Sequence, residues 1–183
     1  YKAIAPMTDR PVKIGSISAQ ILALMLANEH YKNRLELLMD LSSALNKEYH
    51  ALADAGAPLL QVEEPAIHQV IFDPKQPIKP ERWVEAFNVE VKGLRNKCEV
   101  WCHTCWGSPA AQRVASKDQS YKDALPYLDQ LDVDVLTIEG AFNRGMDFEH
   151  VGKMISKDKK IAVGVISHRT LQVERPEEIA DLI

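Results

Sequence analysis

His103 and Cys105 stand two residues apart at the end of an apolar run, and Glu139 closes the next such run. Residues two apart in a strand project to the same side. An imidazole and a thiolate on one side, joined by a carboxylate from the neighbouring strand, supply most of a zinc-binding set. The plainer alternative is a hydrogen-bonded core histidine beside a buried thiol, with Glu139 an ordinary loop carboxylate. Zinc held by thiolate and imidazole is soft enough to take a thiol substrate as a further ligand. Coordination lowers the thiol pKa, and the thiolate is the nucleophile. Glu139 would be the more labile ligand, able to yield its place to incoming sulfur. The helical His-Glu-x-x-His pattern of zinc proteases is absent. Alkyl transfer to a thiol therefore ranks above hydrolysis.

Other apolar runs also end in polar residues. Leu59 to Val62 leads into Glu63 and Glu64, and Ile161 to Ile166 leads into Ser167 and His168. Glu63, Glu64 and His168 are thus candidate catalytic residues, although the two glutamates would serve equally as acceptors for neighbouring loops. Cys102 faces the other way from His103 in a regular strand and reads as packing, as does Cys98. Trp101 and Trp106 wall a pocket or fill the core. His30, His50, His68 and His150 read as surface or helix residues.

These residues need elements to position them. Strands are expected at 12–16, 59–63, 98–105, 133–139 and 161–166. Helices are expected at 17–27, 34–55, 80–94, 121–131, 148–155 and 176–183, with 67–79 and 107–119 as loops. Pro80 suits the first turn of its helix. Short apolar strands alternating with amphipathic helices imply a parallel sheet covered by helices, an α/β fold. The carboxyl ends of such strands lie on one side, where barrels and open α/β sheets build their sites.

At 183 residues the chain is long enough to bury one substantial core. Its net charge of -4 is spread with both signs interspersed, which argues against a nucleic-acid partner. No apolar run is long enough to span a bilayer, so no membrane role is expected. Tyr1 opens no signal sequence, and the absent initiator Met points to a fragment or a processed chain. Three cysteines within 98–105 do not make a disulfide framework; they suit a reducing, cytoplasmic setting and a metal or reactive thiol.

The set Leu60-Gln61-Val62-Glu63-Glu64-Pro65-Ala66, His103-Thr104-Cys105, Thr137-Ile138-Glu139 and Gly164-Val165-Ile166 resembles the catalytic domain of cobalamin-independent methionine synthases. Each motif is short, but their order and spacing match across nearly the whole chain. The resemblance implies a (β/α)8 TIM-type barrel of the methionine synthase and uroporphyrinogen decarboxylase superfamily, present here in part. It implies one barrel domain over 1–183, lacking its first and last strands. It also implies Zn2+ held by His103, Cys105 and Glu139, with a fourth ligand in an Asp-Cys-Gly motif beyond Ile183. The implied partners are a small-molecule thiol, homocysteine or coenzyme M, and an alkyl donor. The implied reaction is methyl transfer to homocysteine.

Two departures bear on the substrates. The family's Asp-Glu-Pro, whose Asp recognises the homocysteine ammonium, is Glu63-Glu64-Pro65 here. The Trp that stacks on folate in the long synthases has no counterpart in 14–25. The run His103-Thr104-Cys105-Trp106-Gly107-Ser108 is also similar to the shorter branch that includes epoxyalkane:coenzyme M transferase. There a zinc-bound thiol opens an epoxide, and Arg144 and Arg169 would answer the coenzyme M sulfonate. A barrel without this chemistry, non-catalytic or decarboxylase-like, is the third alternative.

Overall fold

The computed structural model describes residues 1–63, 66–71, 73, 75–106, 120–141, 143–167 and 170–183. Five strands, β1 (Lys13–Ile17), β2 (Leu59–Glu63), β3 (Glu99–Thr104), β4 (Val135–Glu139) and β5 (Lys160–Gly164), form one sheet in that spatial order. Every neighbouring pair is parallel. A doubly wound sheet reverses its strand order at a switch point. This sheet never reverses, which is the progression of a (β/α) barrel. The fold is α/β, as the alternation of runs implied.

The long helices form where expected. α1 (Ala19–Met25) is capped by the Ser18 side chain, which accepts from the Ile21 amide. α2 (Arg34–Asp54) is capped by Asn33 in the same way. α4 (Pro80–Glu90) opens on its proline, and α6 (Phe148–Met154) and α7 (Pro176–Ala180) complete the later connections.

Three elements depart from expectation. Residues 67–70, read as loop, form a single helical turn, α3 (Ile67–Val70). The helix expected at 121–131 is reduced to one turn, α5 (Leu125–Leu128). Pro126 cannot sit inside a longer helix, because its ring would meet the carbonyl four residues earlier. α4 stops at Glu90 rather than running on to residue 94. The chain turns there through Gly93, whose φ of 78° suits a residue without a side chain. The expected 107–119 loop lies outside the described residues.

The core sits between sheet and helices. Leu60, Val62, Val100, Cys102, Leu136 and Ile138 point outward from the strands and are almost wholly buried. They meet Leu38, Tyr49, Trp83, Phe87, Leu125 and Leu128 of the helices. The alternate residues of β2 and β3 face the barrel interior and stay partly accessible. Among the described residues no helix is long and apolar enough to cross a membrane.

A buried polar network fastens the upper ends of β1 and β2. Gln20 of α1 accepts from the Ala66 amide at 2.7 Å and donates to the Trp83 carbonyl at 2.8 Å. Glu90 accepts from the Ala19 amide at 3.1 Å, placing a carboxyl at the start of α1. Tyr49 has one hydroxyl proton yet lies 3.1 Å from the Ile17 carbonyl and 2.9 Å from Glu90 Oε1. Tyr49 donates its one proton to Glu90 or to the Ile17 carbonyl, and a protonated Glu90 satisfies the second case by donating to Tyr49. Burial agrees with that arrangement. It drives the Glu90 pKa up to about 8, against the lowering effect of the Tyr49 and Ala19 bonds.

The raised pKa fixes the sign of a pH dependence. Between the ordinary carboxylate range and pH 8, the folded chain holds a proton that the unfolded chain has released. Its contribution to stability is therefore full below that range and is lost as pH rises through about 8. Urea unfolding should show stability falling by a few kcal/mol across this window. In Glu90→Gln that part of the slope should vanish, so the variant gains on the parent as pH rises. A parallel pair of pH profiles would contradict the buried acid.

Candidate functional site

The register sets out an interior-facing row at the carboxyl ends of the strands. Glu63 pairs with His103, His103 with Thr137, and Glu139 with Gly164. Carried one residue further, the β3–β4 register sets Cys105 beside Glu139. The four candidates Glu63, His103, Cys105 and Glu139 thus share one face of three adjacent strands. Cys102 faces the helices and is fully buried, where loss of solvent pushes its thiol pKa well up. It serves packing, as does Cys98.

A polar contact within the row joins Glu63 to His103. Glu63 Oε2 lies 2.7 Å from His103 Nδ1, with both side chains about one-third exposed. Glu63 Oε1 accepts from Gln61 Nε2 at 2.6 Å, and Gln61 in turn accepts from Lys13 Nζ at 2.6 Å. The Lys13 ammonium sits 4.3 Å from the centre of the Trp101 ring, a cation–π contact on the interior face. Burial alone would raise the Glu63 pKa. The bonds from His103 and Gln61 and the nearby positive charge outweigh it, so Glu63 stays below the ordinary carboxylate range.

Glycine 15 makes room for this carboxylate. A Cβ at that position would stand 2.9 Å from Glu63 Oε1, closer than real side chains allow. Gly15 carries no phosphate-loop company in the sequence, and its signal there was unreadable without knowing which strand it faces.

Cys105 is buried, and the peptide unit that follows it is held at both ends. The Cys105 carbonyl lies 2.6 Å from His68 Nε2, and the Trp106 amide donates to Glu139 Oε2 at 2.9 Å. His68, read from the sequence as a surface or helix residue, is in fact fully buried on α3. Trp106 packs against it edge-on, and Tyr121 closes the layer. Glu64 and His168, both expected at the site, lie outside the described residues.

His103, Cys105 and Glu139 are side chains of the types that bind zinc, and the Glu63 contact on His103 is compatible with that role. A carboxylate only accepts, so with His103 neutral this contact places its proton on Nδ1 and leaves Nε2 unprotonated. Metal-binding histidines are commonly held in this way, by a carboxylate on the nitrogen remote from the metal. Among the described residues, however, no three His, Cys, Asp or Glu side chains stand together as a formed metal cluster.

A sequence-family model described as "Cobalamin-independent synthase, Catalytic domain" matches residues 7–183. The methionine synthase of Sulfurisphaera tokodaii is 34% identical over 170 residues, which are 93% of this chain and 44% of that protein. A methionine synthase of Saccharolobus islandicus is 33% identical over 171 residues, 93% of this chain and 45% of its own length. The chain thus spans less than half the length of these relatives. A B12-independent methionine synthase from Shewanella sp. W3-18-1, solved in complex with selenomethionine, superposes with a TM-score of 0.76 at 23% identity. That match covers 99% of this chain and 52% of the other. A putative vitamin-B12 independent methionine synthase from Listeria monocytogenes gives 0.62 at 20% identity, over 93% and 53%. At these identities the two structures establish the fold.

The Glu63–His103 contact makes a direct prediction. In the metal-free protein, long-range proton–nitrogen spectra should find neutral His103 protonated at Nδ1. Glu63→Ala should shift it toward the Nε2-protonated form that free imidazoles favour. An Nε2 proton in the parent would contradict the arrangement.

Proposed function

Because the chain belongs to the family of cobalamin-independent synthase catalytic domains, we propose that it forms part of a zinc-dependent thiol alkyltransferase. The reaction we assign is methyl transfer to homocysteine, giving methionine. The observation that carries this reading is the Glu63 carboxylate on His103 Nδ1, at the head of the row that ends in Cys105 and Glu139. His103 through Nε2, Cys105 and Glu139 would hold the zinc, with a further ligand from sequence outside this chain. Bound zinc would lower the pKa of a coordinated thiol, so that its thiolate is present near neutral pH.

The remaining work falls to the chain's own residues. Glu63, kept anionic by His103, Gln61 and Lys13, orients the imidazole and presents negative charge toward a substrate ammonium. Glu64 follows it at the strand end and would share that task. His168, after β5, would contact substrate or donor. The layer of buried His68 and Tyr121 with partly buried Trp106 keeps water from beneath the Cys105 segment. Excluding water there strengthens each charge interaction above it.

In the full-length protein, His103→Ala and Cys105→Ser should each lose most bound zinc and, together with it, methyl transfer to homocysteine. The loss in metal affinity should exceed the roughly 10–100-fold that removal of an outer-shell partner costs. Metal analysis and a methionine-forming assay on the same preparations check this. Unchanged zinc content in both variants would sink the assignment.

A further inference from the structure

We infer that His68 is a positioning residue for Cys105, an inference that rests on the proposed metal-binding role of that cysteine. The carbonyl of Cys105 and the amide of Trp106 belong to one peptide unit. His68 Nε2 lies 2.6 Å from the carbonyl oxygen, and Glu139 Oε2 lies 2.9 Å from the amide nitrogen. A carbonyl only accepts, so His68 Nε2 carries a proton and donates it. The peptide plane is thus gripped from opposite edges by a donor and an acceptor. Fixing that plane fixes ψ of Cys105, and with it the direction in which Cα–Cβ carries the thiol.

His68 is itself rigidly placed. It lies on the single turn α3, whose leading residue Ala66 is held by Gln20 at 2.7 Å. Its ring is packed edge-on against Trp106 at 4.9 Å and tilted against Tyr121 at 5.3 Å. Tyr121 is anchored in turn by its amide, which donates to Asp147 Oδ2 at 2.8 Å. A fully buried imidazole packed against Trp106 and Tyr121 and aimed at the backbone of one cysteine is placed to hold that backbone. Its contact with the row is to the Cys105 carbonyl, so its effect passes through Cys105. The link also couples two strand-end segments: the one after β2, which carries His68 on α3, and the one after β3, which carries Cys105.

The test is Co2+ titration of the metal-free, full-length protein, read by the thiolate-to-cobalt charge-transfer absorption. His68→Phe keeps a ring of similar size and removes the donor. It should weaken Co2+ binding by about 10–100-fold, the cost of losing an outer-shell partner. His68→Gln places an amide N–H near the position of Nε2 and should restore most of the affinity. A purely structural role would lower thermal stability in His68→Phe and leave the absorption and affinity as in the parent, which would overturn the inference. A parent protein without the charge-transfer band would instead overturn the metal-site reading, and this inference with it. One measurement needs no variant: nitrogen spectra of the parent should show His68 protonated at Nε2. A proton on Nδ1 alone would overturn the inference directly.

Discussion

The parallel register of β2, β3 and β4 is the constraint on which the site depends. With Glu63 opposite His103 and Cys105 carried to the level of Glu139, two carboxylates, an imidazole and a thiol share one interior face. A slip of one residue would send each of them into the helix-facing core. There Leu60, Val62, Cys102 and Ile138 now stand with almost no exposure. The apolar outward face therefore enforces the register, and the register assembles the polar inward one. Burial of the core and placement of the chemistry are two consequences of the same alternation.

A second layer of order lies behind the strand ends. Gln20 and Glu90 are fully buried polar residues, and each satisfies backbone amides that the turns into helices leave open. Ser18 adds a backbone bond to the Glu63 carbonyl at 3.1 Å, so the ends of β1 and β2 are tied directly. Buried polar groups of this kind are costly when unpaired. Here they fix where loops begin, and a loop that begins in a fixed place can hold a side chain to a useful precision. The grip of His68 and Glu139 on one peptide unit extends the same principle to the next loop.

Much of this was legible in the sequence. Strand positions followed from short apolar runs, and α2 from leucines at helical spacing. The row of Glu63, His103, Cys105 and Glu139 followed from the observation that each closes such a run. What stayed hidden was set by tertiary contact. A histidine in a proline-bounded stretch looks like a loop residue, and nothing local marks His68 as buried beneath Cys105. Gly15 gives no sign of its role until Glu63 is known to lean across β1. The one-turn helices at 67–70 and 125–128 are too short to leave a periodic signal, and Pro126 cut the second below its apolar spacing. The contact between Glu63 and His103 was also out of reach. Sequence could name both residues, but only the register shows that they meet.

The central claim is that His103, Cys105 and Glu139 bind zinc that accepts a thiol substrate. X-ray absorption at the zinc edge of the full-length protein, with and without homocysteine, tests it most directly. The account predicts near-stoichiometric zinc in a shell of nitrogen, oxygen and sulfur that gains one sulfur when homocysteine is added. Full-length protein that binds no zinc, or whose zinc shell is indifferent to the thiol, would contradict it.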